Sequence, residues 1–455
     1  MIKAPSYTGK HIAVFGLART GLAAVRALSE SGADVLAWDD DQARCAMVGA
    51  LAHNLYEADF SDIDGLLVAP GVPLTHPEPH ALVKKAMAAG VPIFGDTDVF
   101  EAARDGLPSH DLIAITGTNG KSTTSALIDH MVQCCGKPSS LGGNIGTGIL
   151  SLAPLEQGGV YVFELSSYQL DLTHALKPSI AILMNISPDH LDRHGGMDGY
   201  TAAKAHLFDL LADDGVAIIS VDDPHSRRIA DKTHQRKILM SVEQRLDDGV
   251  SLQGDTLLFC VGGAVMGQLS LARCATLKGN HNAQNAAAAW VAGHILGFDN
   301  TAIQQAFETF PGLVHRQELI GCQAGVTFIN DSKATNVEAA ARALASYQSV
   351  HWIAGGRGKN EPLDILKPWL GRVKKAWLIG EDADRMAKSL GQDVDAVNVA
   401  TLEAALAGAC VEAEAGDTIL LSPACASFDQ YESFEDRGDS FRRAVGRWLQ
   451  KGHVA

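Results

Sequence analysis

The sequence predicts an α/β protein of several units, each built around a mostly parallel sheet. The first observation behind this is a recurring alternation: short apolar runs ending in Gly, Asp, Asn or Ser are separated by Ala/Leu-rich stretches of helical character. The second is length, since 455 residues correspond to about three domains at roughly 150 residues each. The third is composition: 46% hydrophobic and 20% charged residues with 45 glycines give ample material for packed cores and exclude disorder and fibres.

The elements fall into three groups. Strands are predicted at Ile12–Phe15, Val35–Trp38, Leu66–Ala69 and Val91–Phe94, and the polar stretch Arg104–His110 then marks a boundary. A second group opens with Leu112–Ile115 and continues through Val160–Phe163, Ile180–Met184 and Val216–Ile219. Its later part, Val250 to Ala275, alternates and is Gly-rich, which predicts a small antiparallel section; a helix over Ala283–Leu296 closes the group. After a linker at Phe310–Leu313, a third group carries Val326–Ile329, Val350–Ile353, Ala376–Ile379 and Thr418–Leu421. The expected domains are therefore 1–108, 109–312 and 313–455.

Charge and cysteine usage narrow the function. With 37 basic and 53 acidic residues the net charge of −16 repels a phosphate backbone, so nucleic acid is not an expected partner. No uninterrupted apolar run reaches the length of about 18 residues that a spanning helix needs, and the N-terminus lacks the apolar region of a secretory leader, so a cytoplasmic protein without a membrane partner is expected. The eight cysteines form no C-x-x-C pair and are expected to be small buried hydrophobes.

The most informative segment is Ile115-Thr116-Gly117-Thr118-Asn119-Gly120-Lys121-Ser122-Thr123-Thr124, placed after a strand and before a helix whose apolar face is Leu127, Met131 and Val132. Its glycines let backbone N–H groups turn inward, the helix N-terminus adds a positive dipole, Lys121 can reach terminal phosphates and a hydroxyl can ligate magnesium. It reads as a shortened phosphate cradle, because Ile115 stands where the longer loop has its first glycine; a Gly-rich turn capped by Ser122 is the alternative.

Glu164 ends the second strand of this group and His190 follows the third. In parallel sheets the carboxyl ends of strands face the ligand crevice, so both can converge on phosphates held by Lys121 and ligate magnesium or manganese. A solvated histidine and an ion-paired glutamate remain the plainer reading. Lys204 by itself reads as an exposed helix lysine. In the third group Asp331, Lys333, Thr335 and Asn336 place an acceptor, a cation and short polar side chains in one turn, which suits an acidic small molecule or phosphate; Asp331 or Ser332 could equally cap the next helix. His315-Arg316 lies at the linker, where an arginine could reach a triphosphate. Near the N-terminus, Gly16-Leu17-Ala18-Arg19-Thr20-Gly21 with Asp39 after the next strand approximates a dinucleotide fingerprint, with Ala18 in place of the middle glycine.

Taken together these runs resemble the Mur ligases, ATP-dependent amide-forming enzymes of peptidoglycan synthesis. The resemblance covers essentially the whole chain, through Gly117–Thr123, Gly142-Gly143-Asn144-Ile145-Gly146, Glu164–Leu170, Lys278–Asn285, His315-Arg316, Asn330–Asn336 and Leu421–Gln430. The Ser167-Tyr168-Gln169-Leu170, Asp331–Asn336 and Ser422-Pro423-Ala424 runs are those of the D-glutamate-adding branch.

That resemblance implies a Rossmann-like N-terminal domain for the UDP part of the substrate, a central P-loop ATPase-type domain and a C-terminal Rossmann-like α/β domain for the amino acid. It implies ATP with Mg2+ as cofactors, Mn2+ being a substitute, and the small-molecule partners UDP-N-acetylmuramoyl-L-alanine and D-glutamate, acted on by a monomer. ATP contacts are implied for Gly117, Thr118, Asn119, Gly120, Lys121, Ser122, Thr123, Asn282, Asn285, Arg316 and Asp331. Ser122, Glu164, His190 and a carbamylated Lys204 are implied to hold the metal, and Lys121, Glu164, His190, Lys204 and Lys333 to serve catalysis. Arg19, Thr20, Asp39, Gly71, Asn144, Ser166 and Gln169 are implied to contact the UDP substrate, and Lys333, Thr335, Lys359, Ser427, Phe428 and Phe434 to contact D-glutamate. The sequence departs from the family in Ala69-Pro70-Gly71 for a more usual Ser-Pro-Gly, in the acidic run Asp39-Asp40-Asp41, and in Phe428 for a smaller aliphatic. Three other readings remain. A folate–glutamate ligase would lack the first domain and carry an Ala-His-Asn-Pro motif absent here, and an NAD-dependent oxidoreductase would leave the Lys121 loop unexplained. A nucleotide-gated binding protein without catalysis would be excluded by ATP consumption that depends on two further substrates.

Overall fold

A computed structural model describes residues 1–358 and 362–451. They form two compact units, one ending at Phe310 and one beginning at Pro311.

The first unit holds two sheets. Strands β1 (His11–Phe15), β2 (Asp34–Trp38), β3 (Gly65–Val68) and β4 (Ile93–Phe94) pair in parallel in the order β2-β1-β3-β4. Because the chain places β2 on one side of β1 and β3 on the other, the turns after β1 and β3 open a crevice at the carboxyl ends of the strands.

The second sheet comprises β5 (His110–Thr116), β6 (Ser139–Gly143), β7 (Gly159–Glu164), β8 (Ile180–Leu183), β9 (Val216–Ser220), β10 (Lys237–Ser241), β11 (Gly249–Gln253), β12 (Thr256–Val261) and β13 (Ala264–Ser270). Its order is β13-β12-β11-β10-β9-β8-β5-β7-β6, parallel from β6 to β11 and antiparallel over β11 to β13, as the alternation after Val250 predicts. The strand β5 lies between β7 and β8, which makes its end a second switch point. Buried Leu112, Ile113, Ala114 and Ile115 fix β5 in the core, and the helix Lys121–Cys134 lays Leu127, Ile128, Met131 and Val132 against the sheet. Beside it packs the helix Asn280–Ile295, which starts three residues before the expected Ala283. Its buried run Ala286–Ala289 lets the two helices approach closely.

The second unit carries β14 (Glu318–Gln323), β15 (Val326–Asn330), β16 (Val350–Gly355), β17 (Val373–Ile379), β18 (Ala396–Ala400) and β19 (Thr418–Leu421). Their order is β14-β15-β19-β16-β17-β18, with only β14 antiparallel. Its core is centred on buried Trp352, Leu378, Leu420 and Phe441. The expectation did not include β6, β10, β14 and β18.

Candidate active site

The phosphate loop turns at the end of β5. Gly120 adopts φ +84° as it opens the helix Lys121–Cys134, and a Cβ on it would lie 2.4 Å from Asn285 Oδ1, so the turn requires glycine both for its backbone and for its space. The loop is braced from β8: the amide of Thr118 donates to the carbonyl of Asn185 at 2.8 Å, and that of Asn119 to Asn185 Oδ1 at 2.9 Å. Thr118 Oγ1 meets the hydroxyl of Tyr200 at 3.0 Å and accepts from the amide of Ser187, also at 3.0 Å. Lys121 Nζ folds back to donate to the carbonyls of Gly117 and Thr118 at 2.8 and 2.9 Å, which holds the cation at the mouth of the loop. Ser122 is buried at the start of the helix.

Two ionisable groups stand above this loop. Glu164 is 1% exposed; its Oε1 accepts from Asn144 Nδ2 at 2.7 Å, while its Oε2 is buried without a hydrogen-bond partner. Lys204, which read alone as an exposed helix lysine, is instead 1% exposed. The helix Met197–Asp209 turns it inward, where Nζ donates to the carbonyl of Gly117 at 2.9 Å and sits 4.7 Å from the centre of the Tyr200 ring. Burial and the neighbouring Lys121 push its ammonium well below the ordinary lysine range, against the opposing pull of Asp189, Glu164 and Asp171. A buried, readily deprotonated amine is what addition of CO2 requires. His190 is at the same end of the sheet, half exposed, with Nε2 3.5 Å from Asp189 Oδ2 and its ring 4.9 Å from that of Tyr168.

This donor set fits a divalent cation. An unpartnered buried carboxylate oxygen gains a partner from it, and the Ser122 hydroxyl and His190 imidazole are suitable further ligands. The ammonium of Lys204 cannot ligate a metal, whereas its carbamate can. Among the described residues no three His, Cys, Asp or Glu side chains form a metal-holding group, so phosphate oxygens and water would complete the shell, as is usual for magnesium.

Asn282 and Asn285 lie beneath the loop. Asn285 is buried and accepts from Thr124 Oγ1 at 3.1 Å while its Nδ2 donates to Asn282 Oδ1 at 3.0 Å, so it pins the two helices to one another; Asn282 is partly exposed.

A cavity of roughly 700 Å3 opens at the carboxyl end of the first sheet, within the size range of small-molecule sites. Arg19, Thr20, Asp39, Gly71, Asn144 and Ser166 line it, as does Tyr168. Gln169 does not: it is buried, and its Oε1 accepts from the amide and hydroxyl of Ser166 in a capping box that starts the helix Ser167–Leu170. Arg19 Nη1 donates to the carbonyl of Gly146 at 2.6 Å. Asp39 turns inward to accept from the amides of Leu17 at 2.6 Å and Asp41 at 2.9 Å, and pairs with Arg44 at 3.3 Å. Burial opposes ionisation, but those amides and Arg44 outweigh it and hold the carboxyl below its ordinary range. Gly21 admits this tight turn, since a Cβ there would lie 1.8 Å from the carbonyl oxygen of Gly16. Asn144 lines the cavity and also bonds Glu164, so the cavity and the loop share a wall.

Sequence reasoning missed His194. It is buried, with Nε2 2.9 Å from Ser167 Oγ and Nδ1 3.4 Å from Asp171, and burial together with Lys204 pushes its imidazole down to about 4. A histidine in a polar run carries no burial signal of its own.

In the second unit, Asp331 follows β15 and is buried. Its Oδ2 accepts from Ser422 Oγ at 2.8 Å and its Oδ1 from the amide of Gln317 at 3.1 Å; burial pushes the carboxyl up to about 7, against the pull of Arg316. His315 is buried at φ +62°, where its Nδ1 accepts from Asn330 Nδ2 at 2.9 Å. Lys333 Nζ stands 3.8 Å from the centre of the Phe434 ring, and the amide of Thr335 donates to the Lys333 carbonyl at 2.8 Å. Ser427 is buried and its carbonyl caps the turn to Tyr431, whereas Phe428 is 64% exposed. Arg437 is fully buried and crosses from Ser332 to the carbonyls of Cys425 and Ala426. Lys359 lies outside the described residues.

Residues 115–293 match the Mur ligase middle domain and residues 315–425 the Mur ligase, glutamate ligase domain. The UDP-N-acetylmuramoylalanine–D-glutamate ligase of Nitrobacter hamburgensis is 45% identical over 457 residues, covering 98% of each chain. The protein of the same name from Caulobacter sp. is 47% identical over 459 residues, again covering 98% of each. Among solved structures, the UDP-N-acetylmuramate–alanine ligase of Thermotoga maritima superposes with a TM-score of 0.59 at 18% identity, covering 97% of this chain and 99% of that one, and so shows the same fold. The UDP-N-acetylmuramoyl-L-alanyl-D-glutamate–2,6-diaminopimelate ligase gives 0.56 at 18% identity, over 98% of this chain and 94% of that one. Matched by both domain models and by relatives 45% and 47% identical over 98% of its length, the chain belongs to the Mur ligase family.

Proposed function

We propose that this chain joins D-glutamate to UDP-N-acetylmuramoyl-L-alanine with conversion of ATP to ADP and phosphate, a step of peptidoglycan precursor synthesis. The observation that carries the reading is the Asn144–Glu164 contact. It supports the reading because a residue lining the first-sheet cavity bonds the carboxylate that ends β7, beside the strand that leads into the phosphate loop, and from there a substrate's terminal carboxylate would reach the γ-phosphoryl group of ATP. The names of the full-length relatives support the same substrates.

A carboxylate is not an electrophile, so it must first be activated. One carboxylate oxygen attacks the γ-phosphorus, the bond to the ADP oxygen breaks, and an acyl phosphate results. The neutral amine of D-glutamate then attacks the acyl carbon, the bond from that carbon to the bridging oxygen breaks, phosphate leaves with that oxygen and the bonding pair, and the nitrogen gives up a proton. The positive end of the helix Lys121–Cys134 and the Lys121 cation would stabilise the charge on the transferred phosphoryl group. Bound Mg2+, held by Ser122, Glu164, His190 and the carbamate of Lys204, would neutralise phosphate charge. Asp39 holds the turn that frames the nucleotide end of the cavity. In the second unit, Lys333, Thr335, Ser427, Phe428 and Phe434 receive D-glutamate.

The division into domains 1–108, 109–312 and 313–455 belongs to this reading, as does a monomer working in the cytoplasm. No helix among the described residues is long and apolar enough to cross a membrane. Phosphate release measured with UDP-N-acetylmuramoyl-L-alanine, ATP and each of several D- and L-amino acids tests the proposal. Release that requires both the UDP substrate and D-glutamate is the expected result. Release with an L-amino acid alone, or without the UDP substrate, overturns it.

A further inference from the structure

We infer that Gln284 is a positioning residue for the phosphate loop, acting through Asn185. The two residues are 99 positions apart and meet behind the loop. The carboxamide of Asn185 pairs with the backbone of Asn119 in both directions: Oδ1 accepts from the Asn119 amide at 2.9 Å, and Nδ2 donates to the Asn119 carbonyl at 3.2 Å. The second hydrogen on Asn185 Nδ2 goes to Gln284 Oε1 at 2.8 Å. Gln284 is 8% exposed, and its own Nε2 donates to Ser220 Oγ at 2.9 Å and to Asp222 Oδ2 at 3.2 Å. Asp222 is anchored in turn by the hydroxyl of Ser241 and the amide of Val242.

The chain of bonds has one polarity. A carboxylate can only accept, so Asp222 obliges Gln284 to present its NH2 outward along β9 and its oxygen toward Asn185. Asn185 must then direct NH2 at that oxygen, and its Oδ1 is left for the Asn119 amide. Reversing either carboxamide would set NH2 against NH2 or oxygen against carboxylate. Each amide hydrogen of both side chains is used, and a buried network satisfied in this way is stiff. Its output is the orientation of the 118–119 peptide region: the Thr118 and Asn119 amides are drawn back onto Asn185, which fixes the path of the loop into Gly120 and the helix start. None of these residues needs to touch the nucleotide.

The inference rests on the loop being the ATP phosphate site. The test uses the full chain with Mg2+, reading ADP affinity by calorimetry and steady-state constants for all three substrates. Gln284→Met keeps the volume and removes the bonds. It is expected to weaken ADP and raise KM for ATP by about tenfold, since several bonds of one buried network are lost together. KM for D-glutamate and for the UDP substrate should stay within twofold. Combined with Asn185→Ala it should cost no more than Asn185→Ala alone, because both interrupt one relay. If Gln284→Met does not fold by circular dichroism, Asp222→Asn and Ser220→Ala carry the same test while leaving Gln284 in place. ADP affinity within twofold of wild type, three KM values rising together, or additive effects in the double variant would overturn the inference. A wild-type chain that binds no ADP would instead overturn the reading of the loop.

Discussion

Lys204 Nζ donates to the carbonyl of Gly117 at 2.9 Å, so a lysine on one helix is fastened to the first residue of the phosphate loop 87 positions earlier. A fully buried ammonium beside the Lys121 cation is unfavourable, which is why its proton is held loosely. The neutral amine can add CO2 to give a carbamate, converting a misplaced cation into an anionic ligand.

Lys204→Ala is therefore expected to be inactive and partly rescued by acetate, which supplies a carboxylate to the same space. The sign of the pH dependence follows from the lowered ammonium. The unfolded chain binds the Lys204 proton up to about pH 10.5, whereas the folded one releases it at lower pH, so this group favours folding increasingly as pH rises between those two points. Mass spectrometry of native, active enzyme together with high-resolution density that both showed an unmodified amine would reject the carbamate.

Lys121→Ala should leave the fold intact and lower kcat by about 10²–10³, the usual loss on removing one preorganised electrostatic stabiliser. The two carbonyls it now serves, those of Gly117 and Thr118, become accessible to water on its removal, so circular dichroism should be unchanged. A folded variant with near-normal turnover would reject the loop assignment.

Asp331 gives a second pH prediction of opposite sign. Burial raises its carboxyl to about 7, so the folded unit holds a proton there that the unfolded chain has already lost above about pH 4. Stability contributed by this group is therefore present at low pH and falls as pH rises from about 4 to 7, at up to about 1.4 kcal/mol per unit. Asp331→Asn, neutral and of the same shape, should remove that slope. Urea denaturation at a series of pH values checks it, and parallel curves for the two proteins would show that the carboxyl is ionised in the fold.

What could be read from sequence divides along physical lines. Every strand with a run of four or more apolar residues was legible, because burial on both faces of a parallel sheet demands such runs. The strands β6 (Ser-Ser-Leu-Gly-Gly) and β14 (Glu-Leu-Ile-Gly-Cys-Gln) are edge strands, half exposed and carrying polar residues or glycine, so they lack the signal. At the site, Lys121 and Glu164 announce themselves by their places after strands. Lys204 does not, because the helix that carries it looks exposed until the sheet end that covers it is built. The Asn144–Glu164 and Asn185–Gln284 pairs are longer-range facts still, fixed only when separate strand ends and a distant helix come together.

Asp39 shows where the structure sharpens an expectation. Its carboxylate is committed to the Leu17 and Asp41 amides and to Arg44, so it shapes the turn after β1 at the cavity and would offer any further acceptor capacity to neutral donors rather than to a diphosphate. Asp39→Ala should raise KM for the UDP substrate with little change in kcat, the mark of lost uniform binding. A fall in kcat at unchanged KM would contradict it.

The side-chain carboxylate of the incoming amino acid must be held while its amine stays free and neutral for attack. Lys333 is suited to the first task, since its ammonium rests 3.8 Å from the centre of the Phe434 ring, a position that keeps the cation in place. The loop from Asn330 to Asn336 is fixed below it by the buried Asn330, Asp331 and Ser332, with the Ser332 hydroxyl donating to the Phe434 carbonyl at 2.8 Å. The cation and its aromatic partner therefore belong to one rigid piece. Charge-assisted bonds from Lys333 and the Thr335 hydroxyl to a carboxylate are lost when that group is an amide. A site built to pair a charged partner rejects the analogue lacking it, so D-glutamate should exceed D-glutamine by on the order of 10² or more in kcat/KM. Lys333→Ala should lower activity and erase most of that preference. Wild-type enzyme that accepted D-glutamine or L-lysine as readily as D-glutamate would remove the chain from the D-glutamate-adding branch.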